Sequence, residues 1–174
     1  MRNRRDFLKT IAGASAGAYV VTRGGGLTAQ APARRQVSIG GKRIRVVDIH
    51  AHATVREVDP VVTGTPYEKQ AGGRPLGPDR IGLIDKQGID VQILSINGFW
   101  WWEVQDRGLA DRIVRAQNEG LAKFVSQYPD RFAAMVSTSL QFPDLAAQQL
   151  EEGVKKYGMR AAAIGGHVNG EDLS

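Results

Sequence analysis

The sequence contains no cysteine, and it has three histidines among 174 residues. The lack of cysteine excludes disulfide bonds and thiolate metal sites, so a protein-bound metal must use histidine, aspartate, glutamate or a modified lysine. Excess positive charge is also nearly absent outside the N-terminus. Residues 1–31 hold five of the 23 basic and one of the 18 acidic residues, and the remainder has a net charge of +1. This balance gives no support to nucleic-acid binding.

A twin-arginine pattern is the main feature of the N-terminus. Residues 4–9 place paired arginines before an apolar pair and a lysine, and residues 10–21 form a run of small and apolar residues. This order is typical of a twin-arginine export signal. The run is short and rich in glycine and alanine, so we expect no stable membrane span. The alternative, an amphipathic helix of the folded domain, is disfavoured by three consecutive glycines at 24–26.

The domain boundaries follow from this pattern. Small residues at 29 and 31 suit a signal peptidase, so we expect residues 1–31 to be a signal peptide and the mature protein to be periplasmic or extracellular. Residues 32–43 are predicted to be a linker, and residues 44–174 to form the folded domain. That length is short for a complete eight-stranded barrel, which usually needs about 250 residues.

Strands and helices alternate through the folded domain. The predicted strands cover residues 44–50, 90–96, 132–138 and 160–164, and the predicted helices cover 79–86, 106–127 and 143–156. Such alternation predicts parallel strands with right-handed crossovers, in a barrel or in an open doubly wound sheet. The first strand is almost continuously apolar, so we expect both of its faces to be buried. A loop rich in proline and glycine follows it from about residue 53 to 77, and loops of that length usually serve a site.

His50 and His52 are the strongest candidates for chemistry. Residues two apart in a strand point to the same side, so both imidazoles can reach one ion at the carboxyl end of the first strand. Asp48 precedes them and is expected to support a neighbouring ligand or the backbone. The pair also argues against a nucleotide-binding doubly wound domain, because it stands where that fold has a glycine-rich turn. The structural alternative is two histidines that only form hydrogen bonds at a strand end.

Several other residues are candidates for a substrate site or for structural roles. Trp100 and Trp101 follow the second strand and can form an aromatic wall or simply pack on the next helix. Arg74 and Arg80 can each pair with a substrate carboxylate, but Arg80 is rather expected to face solvent at a helix start. The residues predicted to fix turns and ion pairs between elements are Asp85, Asp90 and Arg131.

Several separated blocks of the sequence resemble the amidohydrolase-related superfamily, in the branch of aminocarboxymuconate-semialdehyde decarboxylase. The blocks are residues 47–52, 84–95, 118–124, 128–132, 140–146 and 158–166. The resemblance implies a (β/α)8 TIM-barrel fold, here truncated after about four β/α units. It also implies a metal-dependent enzyme with one divalent ion, usually zinc, held by His50 and His52 together with a histidine on the fifth strand and an aspartate on the eighth.

Those further ligands, and the catalytic histidine of the sixth strand, are expected beyond residue 174, so no catalytic residue is assigned. His167 follows the fourth strand. It is expected to line the substrate pocket or donate a supporting hydrogen bond, or else to have a surface or loop-capping role.

Two functions of different classes follow. The first is a metal-dependent enzyme that decarboxylates or hydrolyses a small carboxylated substrate. The second is an incomplete half-barrel whose two open sheet edges lead it to associate with its missing half, a partner or a second copy.

Overall fold

The computed structural model of the protein describes residues 34–70, 73–96 and 103–173. In chain order, the elements are β1 (Ser38–Ile39), β2 (Lys42–Arg43), β3 (Val47–Ala53), a 3-10 turn (Arg56–Val58), α1 (Asp59–Val62), a second 3-10 turn (Glu68–Gln70), α2 (Asp79–Gln87), β4 (Val91–Ile96), α3 (Arg107–Gln127), β5 (Phe132–Ser137), α4 (Pro143–Tyr157), β6 (Ala161–Ala163), β7 (His167–Val168) and β8 (Glu171–Asp172). The predicted alternation of strands and helices is confirmed. The predicted loop at 53–77 differs, because it contains α1 and both turns.

The central sheet has four strands in the order β3-β4-β5-β6, and every neighbouring pair is parallel. It curls as half of a (β/α)8 barrel, which confirms the predicted fold class. Two small antiparallel hairpins, β1-β2 and β7-β8, flank it in the sequence. None of the described helices has both the length and the apolar composition needed to cross a membrane.

Local sequence signals explain where the helices begin and end. The Asp106 carboxylate caps α3 by accepting the backbone N–H of Leu109 at 2.7 Å. Pro143 occupies the first turn of α4, where its missing N–H costs no hydrogen bond. Gly88 and Gly158 end α2 and α4 in the left-handed conformation, with φ of 77° and 67°. Glycine adopts that conformation without strain, so both helices stop within one residue of the predicted ends.

One face of the sheet is packed against the helices. Residues paired across a parallel sheet point to the same side, and Ala51, Leu94 and Ala134 form one such row. All three are buried in the main hydrophobic cluster. Val136 continues this face, and it lies so close to α4 that only glycine fits at position 153. The helices therefore cover this side of the sheet.

The opposite face of the sheet is less covered. Ile93, Ala133 and Met135 alternate with the buried row and are half-buried, and Ala161 of β6 is exposed. Val47 and Ile49 of β3 are 47% and 66% exposed. The expectation that the first strand is buried on both faces is therefore wrong for the described residues. The apolar run reflects an inner barrel surface that only the other half of a barrel would cover.

The N-terminal hairpin is joined to the sheet through Asp90. Arg34 and Arg43 both form ion pairs with the Asp90 carboxylate, and the backbone N–H of Val46 donates to it at 2.7 Å. These hydrogen bonds, led by the one from Val46, hold the pKa of Asp90 below its ordinary value of 3.8. Residues 34–43, assigned to a linker from the sequence, thus contain a hairpin bound to the start of β4.

A second charged cluster lies beside Asp90. The Arg131 guanidinium donates to Asp85 at 2.7 Å and to the carbonyl oxygens of Asp90 and Ile89. This arrangement confirms the prediction that Asp85, Asp90 and Arg131 fix turns and ion pairs between elements.

Asp90→Asn should lower the stability of the fold at neutral pH. It should also make that stability less dependent on pH. A lowered folded-state pKa means that the carboxylate stabilises the fold above about pH 4 and that this contribution disappears as the pH falls through the folded-state pKa. Thermal unfolding followed by circular dichroism should therefore show a difference in unfolding temperature between wild type and variant. This difference should be largest at pH 7 and disappear in acid. Asp172→Asn, at an exposed position, is the control. A difference in unfolding temperature that stays constant with pH would contradict this account.

Gly153→Ala should destabilise the protein although alanine favours helix. A Cβ at position 153 would lie 2.5 Å from Cγ2 of Val136, a stiff side chain in a buried strand. Overpacking of this kind costs about 1–3 kcal/mol, against a helix-propensity gain of up to about 1 kcal/mol. We expect a net loss of about 1–2 kcal/mol in the free energy of unfolding, measured with urea.

Gly82→Ala is the matched control, because a Cβ there meets nothing within 4 Å. It should raise the free energy of unfolding by about 0.5–1 kcal/mol. Equal effects of the two substitutions would rule out close packing at position 153.

Candidate metal centre

His50 and His52 lie within β3 with their rings side by side. The ring centroids are 4.7 Å apart and the ring planes are inclined by 59°. Two imidazoles bound to one tetrahedral zinc at about 2.0–2.1 Å have centroids about 5 Å apart. Both histidines are exposed, whereas Ala51 and Ala53 beside them are buried. The pair therefore has the spacing and the accessibility needed to bind one ion.

The pair does not form a complete site by itself. Within residues 34–70, 73–96 and 103–173, no group of three or more histidines and carboxylates could hold a metal. A catalytic zinc normally has three protein ligands and one open position. His50 and His52 thus fit the role of two ligands, and a tight site needs at least one more from outside the described residues.

Asp48 supports the backbone of the pair, as the sequence predicts. Its Oδ1 accepts the backbone N–H of His50 at 3.2 Å, and its Oδ2 accepts the Gln92 amide at 2.7 Å. Gln92 is a buried polar residue in a mostly apolar strand. Sequence reasoning missed Gln92, although a polar residue within a buried strand is a signal that a partner exists.

Two cavities lie next to β3, and His52 lines both. One has a volume of about 300 Å³ and lies between the end of β3, residues 73–77 and the start of α2. The other has a volume of about 410 Å³ and is lined by both histidines, Asp48, Gln92 and one side of α2. Both volumes are in the lower part of the range for small-molecule sites, about 300–1,000 Å³.

The two candidate arginines have different positions. Arg74 lines the smaller cavity with His52, is 80% exposed, and pairs with Asp79 at 2.8 Å. Arg80 is half-buried and donates to Gln92 at 2.7 Å and to the carbonyl oxygen of His52 at 3.2 Å. The expectation that Arg80 faces solvent is therefore wrong. The first turn of α2 lies against β3 and β4, so the side chain reaches acceptors on both strands.

The remaining candidates are not brought to the histidine pair. His167 is exposed in the β7-β8 hairpin, where its Nδ1 accepts the backbone N–H of Gly170 at 3.3 Å. It lines neither of the two cavities beside β3. Trp100 and Trp101, proposed as an aromatic wall, lie outside the described residues.

Fold and site together define a class of protein. A His-x-His pair on the first strand of a parallel (β/α) half-barrel, beside small-molecule cavities, is typical of metal-dependent barrel enzymes. Comparison with known proteins points to one group of these enzymes. No family model matches the sequence.

Two curated relatives are decarboxylases. The chain is 36% identical over 87 residues to gamma-resorcylate decarboxylase of Polaromonas sp. (strain JS666 / ATCC BAA-500). This match covers 50% of this chain and 27% of the relative. It is 30% identical over 100 residues to 2-amino-3-carboxymuconate-6-semialdehyde decarboxylase of Dictyostelium discoideum. This match covers 55% of this chain and 27% of the relative. The chain thus spans about a quarter of the length of the relatives it matches.

A solved structure supports the same group. The dihydroxybenzoic acid decarboxylase of Polaromonas sp. JS666, determined with bound manganese and the inhibitor 2-nitroresorcinol, has a TM-score of 0.55 and 27% identity, covering 68% of this chain and 37% of the other. Over about half of its length, the chain is thus similar to members of the aminocarboxymuconate-semialdehyde decarboxylase-like superfamily of amidohydrolase-type barrels. The resemblance inferred from the sequence is confirmed at that level.

Proposed function

We propose that this chain supplies the His50/His52 side of a divalent metal site in a decarboxylase that acts on a small carboxylated aromatic compound. The ring-centroid distance of 4.7 Å carries the proposal, because it fits two ligands of one ion. The relatives favour decarboxylation over hydrolysis, since both are named as decarboxylases. Hydrolysis uses the same kind of site and is the outcome to test against.

His50 and His52 would hold the ion through imidazole nitrogens. When bound, the metal polarises a substrate oxygen or activates water. Manganese is the ion in the solved decarboxylase, and zinc is the ion implied by the sequence resemblance. Imidazole nitrogen suits zinc, while carboxylate oxygens suit manganese. The missing ligands therefore decide between the two metals.

Arg74 is the described residue best placed to bind a substrate carboxylate. It shares the cavity of about 300 Å³ with His52, and its guanidinium is largely exposed. A bidentate arginine–carboxylate pair fixes orientation as well as charge. Binding would require Arg74 to exchange Asp79 for the substrate, which is feasible because both side chains are exposed at that ion pair.

A second candidate function is a half-barrel that becomes active only when its other half is supplied. Two observations favour it: the histidine pair lacks a third ligand among the described residues, and the inner face of the sheet carries the exposed Ile49. A monomer in size-exclusion chromatography that retains one tightly bound metal would rule out this reading.

The reaction itself gives a sharp test. Decarboxylation replaces the C–COO⁻ bond by C–H and releases carbon dioxide, with the proton taken from solvent. In D2O with manganese or zinc, a barrel that contains this chain together with the remaining ligands should therefore convert 2,6-dihydroxybenzoate with release of one carbon dioxide and uptake of one ring deuterium per turnover. His50→Ala should reduce the rate by at least about 100-fold, since loss of a ligand removes the ion.

His167→Ala is the matched control and should leave the rate within about twofold, because this histidine lies away from the two cavities. No carbon dioxide from 2,6-dihydroxybenzoate, together with cleavage of a carboxylated aryl ester or amide, would favour hydrolysis. An unchanged rate in His50→Ala would exclude the proposed site.

We also propose export by the twin-arginine route, on the basis of residues 4–31. Periplasmic extracts should contain a mature protein whose N-terminal sequence begins near Pro32. Replacing Arg4 and Arg5 by lysine should retain the precursor in the cytosol. Recovery of intact Met1 as the cytosolic N-terminus of the wild type would contradict export.

A further inference from the structure

β3 is irregular where it carries the histidines. Asp48 pairs with Gln92 and Ala51 pairs with Leu94, so three steps along β3 match two steps along β4. A bulge of this kind leaves backbone groups without ladder partners and changes the direction of the side chains that follow. It falls between Asp48 and Ala51, where Ile49 and His50 lie. The orientation of the imidazoles therefore depends on what holds the bulged backbone.

The Asp48 carboxylate binds a backbone group within the bulge. It accepts the backbone N–H of His50 through Oδ1, while Oδ2 accepts the side-chain amide of Gln92 at 2.7 Å. Gln92 is 5% exposed and lies directly beside Asp48 in the strand register. A buried amide with fixed partners at both ends has little freedom, so it fixes the carboxylate in turn.

Arg80 extends the network to the second histidine. Its Nε donates to Gln92 Oε1 at 2.7 Å, and its Nη2 donates to the carbonyl oxygen of His52 at 3.2 Å. A planar guanidinium can donate to two acceptors on neighbouring strands at once, which lysine cannot do in a fixed geometry. The chain of hydrogen bonds from Arg80 through Gln92 to Asp48 therefore contacts the backbone of both histidines, at the N–H of His50 and the carbonyl of His52.

We propose that Arg80 and Gln92 are positioning residues that set the spacing and direction of the His50 and His52 imidazoles. They act through Asp48 and the backbone, from the helix-covered side of the sheet, and do not bind the metal. The inference rests on the proposed function, in which the two histidines are ligands. The spacing of the rings in the metal-free protein provides a readout that does not depend on that function.

The experiment uses the full chain with labelled histidines. Because the sequence has three histidines, their imidazole signals in NMR spectra are few, and His167 is an internal reference. In the wild type we expect a ring-to-ring nuclear Overhauser effect between His50 and His52 without metal. We also expect both signals, but not that of His167, to shift as zinc is added.

Arg80→Met keeps the aliphatic stem and removes both donors, and Gln92→Glu keeps the shape but cannot donate to Asp48. Each should weaken the ring-to-ring effect and lower the zinc affinity about 10-fold or more, the size typical for supporting partners of metal ligands. Arg112→Met, at an exposed position of α3, should change neither. Arg80→Lys should give an intermediate affinity, because it reaches one acceptor at a time.

Thermal unfolding separates positioning from folding. If Arg80→Met unfolds at a much lower temperature than Arg112→Met, the comparison rests on Gln92→Glu and Arg80→Lys. Wild-type affinity and an intact ring-to-ring effect in these variants would overturn the proposal. If neither histidine signal of the wild type shifts even in a large excess of zinc, but the ring-to-ring effect is lost in the variants, the positioning role stands and the proposed metal function fails.

Discussion

The packing of helices against one face of the parallel sheet is the constraint on which the described structure depends. Leu94 and Val136 must face the helices, and α4 approaches so closely that position 153 has room only for glycine. The same constraint turns Ala51 of β3 toward the helices and leaves the imidazoles of His50 and His52 exposed. The direction in which the two candidate ligands point is thus a consequence of core packing. The bulge in β3 changes that direction locally.

Most of the fold could be predicted from the sequence because its signals are local. The period of apolar residues located each long helix and each central strand to within three residues, and glycine at 88 marked a helix end. The burial of the first strand could not be predicted in this way. An apolar run indicates that a face will be covered, but it does not say by which part of the chain or partner, and here Ile49 remains exposed.

The candidate site was predictable only in part. The His-x-His spacing gave the pair, because the period of a strand determines which residues share a side. The roles of Arg80 and Gln92 depend on a register between β3 and β4 that includes an extra residue, and no pattern in either strand reveals that offset. Contacts that depend on tertiary register lie beyond local sequence signals, even when the residues themselves are conspicuous.

The arrangement of the sheet has a consequence for assembly. Its outer strands, β3 and β6, run in the same direction, and one bears the histidine pair while the other is three alanines long. These two borders are different surfaces, so pairing of the β3 border of one copy with the β6 border of another is a head-to-tail contact and not a self-matching one. Such an interface must close into a ring or continue without limit. Closure into a complete (β/α)8 barrel takes four further parallel strands, whereas a head-to-tail contact that repeats without closing forms a filament.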